Sequence, residues 1–119
     1  MNKKSKGKKK INSRAKGCRG ERECRDLFRD NGYKARRGQQ FSGSPDSPDV
    51  VTSLEGYLVE VKRVEQFNAY KAIEQAEKDC VGSDNKPVVF HKKNGKDWIV
   101  ILKHEEFFDL LDKAISAGI

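Results

Sequence analysis

Apolar residues recur along the chain in two rhythms, and the changes of rhythm mark out the elements. Over residues 17–31, Gly17, Glu21, Cys24 and Phe28 fall at spacings of four, three and four, with Leu27 beside them. That spacing predicts an amphipathic helix, with Arg22, Arg25 and Arg29 on its other faces. Asn31-Gly32 ends it as a left-handed C-cap does. Residues 33–37 then read as a short strand, and 38–47, rich in Gly, Ser, Gln and Pro, as a loop. Residues 49–52 and 57–63 form two strands joined by a turn at Leu54-Glu55-Gly56. A second helix spans 67–80, with Phe67, Tyr70, Ile73, Ala76 and Cys80 on one stripe. Strands at 87–91 and 98–102 flank Lys93-Asn94-Gly95-Lys96, where Asn-Gly is a strong turn signal. A third helix over 104–116 carries Phe107, Phe108, Leu110, Leu111 and Ile115. The order α-β-β-β-α-β-β-α, without repeats, predicts an α/β fold in which helices flank a mixed β-sheet.

Charge divides the chain in two. The formal net charge is +7 over 119 residues. Residues 1–16 hold eight cations and no acid, so the remainder sums to −1. A Lys/Gly/Ser/Asn run of this kind buries no apolar surface, which predicts a disordered basic tail over 1–16 and a balanced domain over 17–119. Beside nucleic acid the tail adds salt-sensitive, sequence-independent affinity through Lys8, Lys9, Lys10 and Arg14; the plain alternative is a solubilising tail. No apolar stretch approaches the ~20 residues of a membrane helix, and no apolar segment follows the basic start. Cytoplasmic residence without membrane contact is the expectation. Three cysteines suggest reduced thiols, and neither they nor His91 and His104 have the spacing of a zinc site.

The candidate chemistry lies at Pro48-Asp49-Val50-Val51 and Glu60-Val61-Lys62. If the two apolar runs form a hairpin, Asp49, Glu60 and Lys62 reach one point at its edge. Strand alternation puts Glu60 and Lys62 on the same face, ~6.6 Å apart. Carboxylates converging there suit a hard divalent cation, and a neighbouring lysine suits a phosphate or a water to be deprotonated. The plain alternative is an exposed Glu/Lys pair on a half-solvated strand. Asp46 lies inside the loop with no strand directly after it, so Asp49 is preferred. Glu21 is a third acid, set on the apolar stripe of its helix. It is either a functional carboxylate or a boundary residue neutralised by Arg25 one turn on.

Taken in order, these motifs resemble the PD-(D/E)xK nuclease superfamily, and most of all its archaeal-type Holliday junction resolvases. The Lys-Gly-x-x-x-Glu-Arg-Glu helix of that family is similar to Lys16-Gly17-Cys18-Arg19-Gly20-Glu21-Arg22-Glu23. Its Gly-aromatic strand ending in arginine matches Gly32-Tyr33-Lys34-Ala35-Arg36-Arg37, followed here by Ser42-Gly43-Ser44, Asp49-Val50-Val51 and Glu60-Val61-Lys62. A Lys-Pro-Val-Val strand follows, and the match covers roughly residues 16–102. The resemblance implies a restriction-endonuclease-like fold and Mg²⁺-dependent hydrolysis of DNA phosphodiesters in four-way junctions, with Mn²⁺ substituting and a 5′-phosphate left. It implies that Asp49 and Glu60 bind one or two ions with the Val61 carbonyl, that Glu21 completes the shell, and that Lys62 activates water. Arg22, Arg25, Arg36, Arg37 and the tail would hold the DNA backbone, with Ser42 or Ser44 as a loop serine and Gln75 as a supporting glutamine. A homodimer would supply two sites for paired nicks, and a phage-encoded member would work in host cytoplasm. The alternatives are a nicking or flap-type nuclease of the same superfamily, or a basic nucleic-acid-binding protein without chemistry.

Overall fold

Both faces of a single sheet are needed to bury the apolar positions of this chain. The structure, a computed structural model, describes residues 13–38 and 49–118. Lys8, Lys9, Lys10, Ser42, Ser44 and Asp46 lie outside those residues, as does most of the basic tail. The elements are α1 (Ser13–Asp30), β1 (Ala35–Arg37), β2 (Val50–Thr52), β3 (Tyr57–Lys62), α2 (Ala69–Asp79), β4 (Lys86–His91), β5 (Ile99–Ile101) and α3 (His104–Ser116). Their order is the expected one.

Most boundaries shift by a residue or two from the expectation, and two of the shifts have clear local reasons. Helix α1 starts at Ser13, four residues early. Ala15 and Lys16 are good helix formers, and the Lys16 ammonium reaches the Glu65 carboxylate at 2.7 Å, so the extra turn is held from outside. Strand β1 starts two residues late because Gly32 and Tyr33 are still occupied in closing α1. Gly32, at φ +90°, donates to Arg29 O, and the Tyr33 N–H donates to Phe28 O. This is the paired bonding that satisfies the last carbonyls of a helix.

The strands lie in the order β1-β2-β3-β4-β5. All neighbours are antiparallel except β3 and β4, which are parallel and joined by α2 as crossover. On one face Cys24 and Phe28 of α1 pack on Val50, Tyr57, Val59, Val61 and Val88, and Leu110 of α3 closes the same cluster. On the other, Ala72, Ile73 and Ala76 of α2 pack on Val89, with Phe67 and Ile101 beside them. Five of the six residues of β3 are therefore buried, and the half-solvated strand considered from sequence is replaced by a central one covered on both sides. Among the described residues no helix is long and apolar enough to cross a membrane.

Helix α1 is fixed against the exit of β3 by polar contacts. The Arg63 side chain is buried, its Nε 3.1 Å from Glu23 Oε1 and its Nη1 3.1 Å from Asn94 Oδ1. Glu65 in turn accepts from Asn94 N at 2.9 Å. Gly20 makes this approach feasible. A Cβ at that position would overlap Arg63 Cβ and sit 2.8 Å from its Cγ. Gly20→Ala is therefore expected to lower unfolding stability by about 1–3 kcal/mol, the usual cost of overpacking, despite the better helix propensity of alanine. Urea or thermal unfolding of the variant measures it; a gain in stability would show that Arg63 can move aside freely.

Candidate active site

The pairing of β2 with β3 sets the geometry. Val50 is the register partner of Val59, and both face α1. One residue further, Asp49 comes alongside Glu60 on the opposite face. Asp49 Oδ2 accepts the Val61 N–H at 2.8 Å, while its carbonyl accepts from Gly38 N at 2.9 Å. The aspartate thus bridges β1 and β3 at the point where β2 begins. Glu60 is 8% exposed, and its Oε2 has no hydrogen-bond partner. Burial, with the Asp49 and then the Asp79 carboxylates adding to it, pushes its carboxyl up to about 8, against the opposing pull of Lys62. Lys62, half-buried, shares the Glu60 face by alternation and ends the strand.

Glu21 approaches from α1. Its Oε1 accepts two bonds from Arg37, 3.1 Å from Nε and 3.0 Å from Nη2. The neutralising partner is Arg37 on β1 rather than Arg25, which instead pairs with Asp26 at 2.9 Å. Burial raises the Glu21 carboxyl from its ordinary value; the Arg37 hydrogen bond opposes this and the Asp49 charge adds to it. The Arg37 Nη2 also lies 3.2 Å from the Cys18 sulfur. Beneath them Cys24 is fully buried, its thiol pushed up to about 12 by burial and by Asp49. Asp49, Lys62 and Glu21 are all among the charges that Glu60 senses, so the four side chains form one electrostatic group.

The remaining expected residues are more dispersed. Arg14, Arg22 and Arg36 are exposed. The Gln75 amide is exposed and reaches Asp79 Oδ1 at 3.4 Å. Asp79 itself was missed by sequence reasoning: Glu60 senses its charge, yet it is one acid among many in a polar helix. Arg63 was missed as well, although it directly follows Lys62.

Among the described residues no three His, Cys, Asp or Glu side chains are grouped so that they could hold a metal ion together. The donor set nevertheless suits a hard cation. An orphaned, buried carboxylate oxygen beside a second carboxylate is a costly arrangement that an oxygen-seeking divalent ion relieves.

The raised Glu60 carboxyl has a stability consequence. Below its ordinary value of 4.5 the group is protonated in both folded and unfolded chains. Between there and about 8 the unfolded chain ionises first, so folding stability falls as pH rises through this window. Without divalent cation, Glu60→Gln is expected to melt near the wild type at about pH 4 and several degrees above it at about pH 9. Thermal melts in EDTA check this; an equal offset at both pH values would refute it.

The chain matches the family model described as archaeal Holliday junction resolvase (Hjc) over residues 12–115. Among solved structures it is similar to Archaeoglobus fulgidus Hjc, described as a Holliday junction resolvase from an archaeal hyperthermophile. That likeness has 22% identity, covers 71% of this chain and 74% of the other, and has a TM-score of 0.55. A search of the curated proteins finds no match. The sheet order, the flanking helices and the extent of the family match agree: the chain belongs to the archaeal Holliday junction resolvase family, within the PD-(D/E)xK nuclease superfamily.

Proposed function

We propose that this protein resolves four-way DNA junctions by metal-dependent phosphodiester hydrolysis. The observation that carries the metal dependence is Glu60: a buried carboxylate with an unpartnered oxygen, set beside Asp49 by strand register. Asp49, Glu60 and the Val61 carbonyl would hold one or two Mg²⁺, with Mn²⁺ able to substitute. A divalent ion bound there supplies Lewis acidity toward the scissile phosphate and lowers the pKa of a water. Asp49 is kept in place by the Val61 N–H, and Glu21 by the two Arg37 bonds. Lys62 orients or deprotonates the attacking water and offsets the charge that develops on the phosphate. Arg37 acts first as the counter-ion of Glu21. Exposed Arg14, Arg22 and Arg36 and the basic tail hold phosphates, with Arg25 at their margin. Gln75 supports the site from outside through Asp79.

Asp49→Asn is the direct test. The variant is expected to lose Mg²⁺-dependent cleavage of a four-way junction while binding it as tightly as the wild type or more so. One negative charge is removed from a phosphate site together with a metal ligand. Cleavage in Mg²⁺ and in EDTA, on a junction, a flap and plain duplex, reads it out. Undiminished cleavage by the variant would refute the site, and preference for the flap would refute the substrate.

Paired nicks on opposing strands need two sites, and the surface offers a place for two copies to join. None of the residues of α3 is buried, and Ile99, Val100, Phe107, Phe108, Leu111 and Ile115 are exposed along β5 and α3. Trp98, just before β5, packs instead against the monomer core. A self-complementary patch of this kind suits a two-fold dimer. Light scattering at micromolar protein is expected to give twice 13.5 kDa, and Phe108→Asp to give a monomer that nicks one strand at a time. A wild-type monomer with and without junction DNA would refute the dimer.

A further inference from the structure

His91 is a buried polar residue with no role in the proposed chemistry. It ends β4 and is the register partner of Lys62, which ends the parallel neighbour β3. The two backbones are also tied just beyond, where Lys92 N donates to Lys62 O at 3.1 Å. Alternation puts the His91 and Lys62 side chains on the same face of the sheet as Glu60. The imidazole is 6% exposed. Its Nε2 lies 2.9 Å from the Val64 carbonyl, and because a carbonyl only accepts, Nε2 carries the proton there. The ring is stacked on Phe67, with centroids 3.9 Å apart and planes 9° apart.

Both contacts fall on the turn that carries the chain from Lys62 into α2. The same turn is also held through Glu65, which accepts from Lys16 and from Asn94 N, and through Arg63, which bonds Glu23 and Asn94. Arg63 points to the α1 side, toward Glu23, and Asn68 caps α2 by accepting from Lys71 N at 3.0 Å. An aliphatic residue in place of His91 would fill the space but leave the Val64 carbonyl unpaired, and a flexible donor would lose the stack. The imidazole supplies a flat face and a ring N–H together.

We infer that His91 is a positioning residue for Lys62, clamping residues 64–67 so that β3 ends, and its lysine is presented, in one fixed geometry. The inference rests on the assignment of Lys62 to the reaction. A lysine side chain has four rotatable bonds, so its ammonium is only as well placed as the backbone from which it springs. A misplacement of about 1 Å at a reacting group costs up to roughly a hundredfold in rate.

A double-mutant cycle tests it, read as the single-turnover rate of junction cleavage at saturating protein. His91→Phe keeps the ring stack and removes only the N–H to Val64. It is expected to slow cleavage about tenfold or more, with junction affinity within about twofold of wild type. In a Lys62→Ala background the same change is expected to cost nothing further, because a residue that acts through Lys62 has nothing left to position. His91→Gln keeps a donor and is expected to retain more of the rate than His91→Phe. If His91→Phe does not fold, His91→Gln replaces it in the cycle with the same expectation of no added loss. A wild-type rate in His91→Phe would overturn the inference. So would the same fractional loss with and without Lys62, or losses of affinity and melting temperature that match the loss of rate. Failure of the underlying reading looks different: Lys62→Ala alone would then cleave normally.

Discussion

The arrangement of the site follows from one constraint: strand register brings Asp49 alongside Glu60, on a strand covered on both sides. Two carboxylates brought together out of water repel each other, and each pays a desolvation penalty of several kcal/mol if left bare. The chain relieves this unequally. Asp49 is given the Val61 N–H. Glu60 has the nearby charge of Lys62 but leaves one oxygen without any donor, so without a cation the proton is its remaining means of relief. Glu21 approaches from α1 and brings its own counter-ion, Arg37, rather than adding a third uncompensated charge. The result is a site held short of one positive charge at the place where carboxylate oxygens converge.

Such a site must be rigid, because repulsion alone would spread it. Its rigidity comes from two adjacent stripes of α1. Positions 21, 24 and 28 face the sheet, where Cys24 and Phe28 are buried and Glu21 meets Arg37. Positions 16, 20 and 23 face the exit of β3, where Lys16 meets Glu65, Gly20 accommodates the Arg63 stem, and Glu23 takes its guanidinium. The pair Glu23–Arg63 is buried mainly at the arginine end, so truncating Glu23 would leave a charge with few alternatives, a larger effect than that of an exposed ion pair.

Much of this was legible in the sequence, and what was not has a common cause. The element order followed from local rhythm, and Asp49, Glu60, Lys62 and Glu21 could be picked out because each interrupts an apolar pattern at a defined place. The stripe through Glu21 was visible because its neighbours are apolar. The stripe through Lys16, Gly20 and Glu23 was not, since its partners Arg63 and Glu65 lie 40 to 49 residues away and every member is polar or small. A shorter separation, 16 residues, hid Arg37 behind the nearer Arg25 as the partner of Glu21. Burial of β3 on both faces was likewise a tertiary fact: Glu-Val-Lys alternates as a half-exposed strand does, and only the placement of α2 over the second face shows otherwise.

The coverage of the sheet is incomplete, and its two open regions differ in character. Helices α1 and α3 share one face and α2 takes the other, packing chiefly on β4. Among the described residues nothing covers the second face of β1 and β2, and there a surface groove is lined by Lys34, Ala35, Arg36, Val51, Thr52 and Ser53. At the far edge, β5 and α3 present aliphatic and aromatic side chains. The cationic region suits a polyanion, and the apolar region suits a second copy of the same surface. Because these lie at opposite edges, a dimer joined at β5 and α3 would leave both sites unobstructed. Separate placement of that kind is what two nicks on different strands of one junction require. On the proposed reading, one exposed edge of the sheet would bind DNA and the other a second copy of the chain.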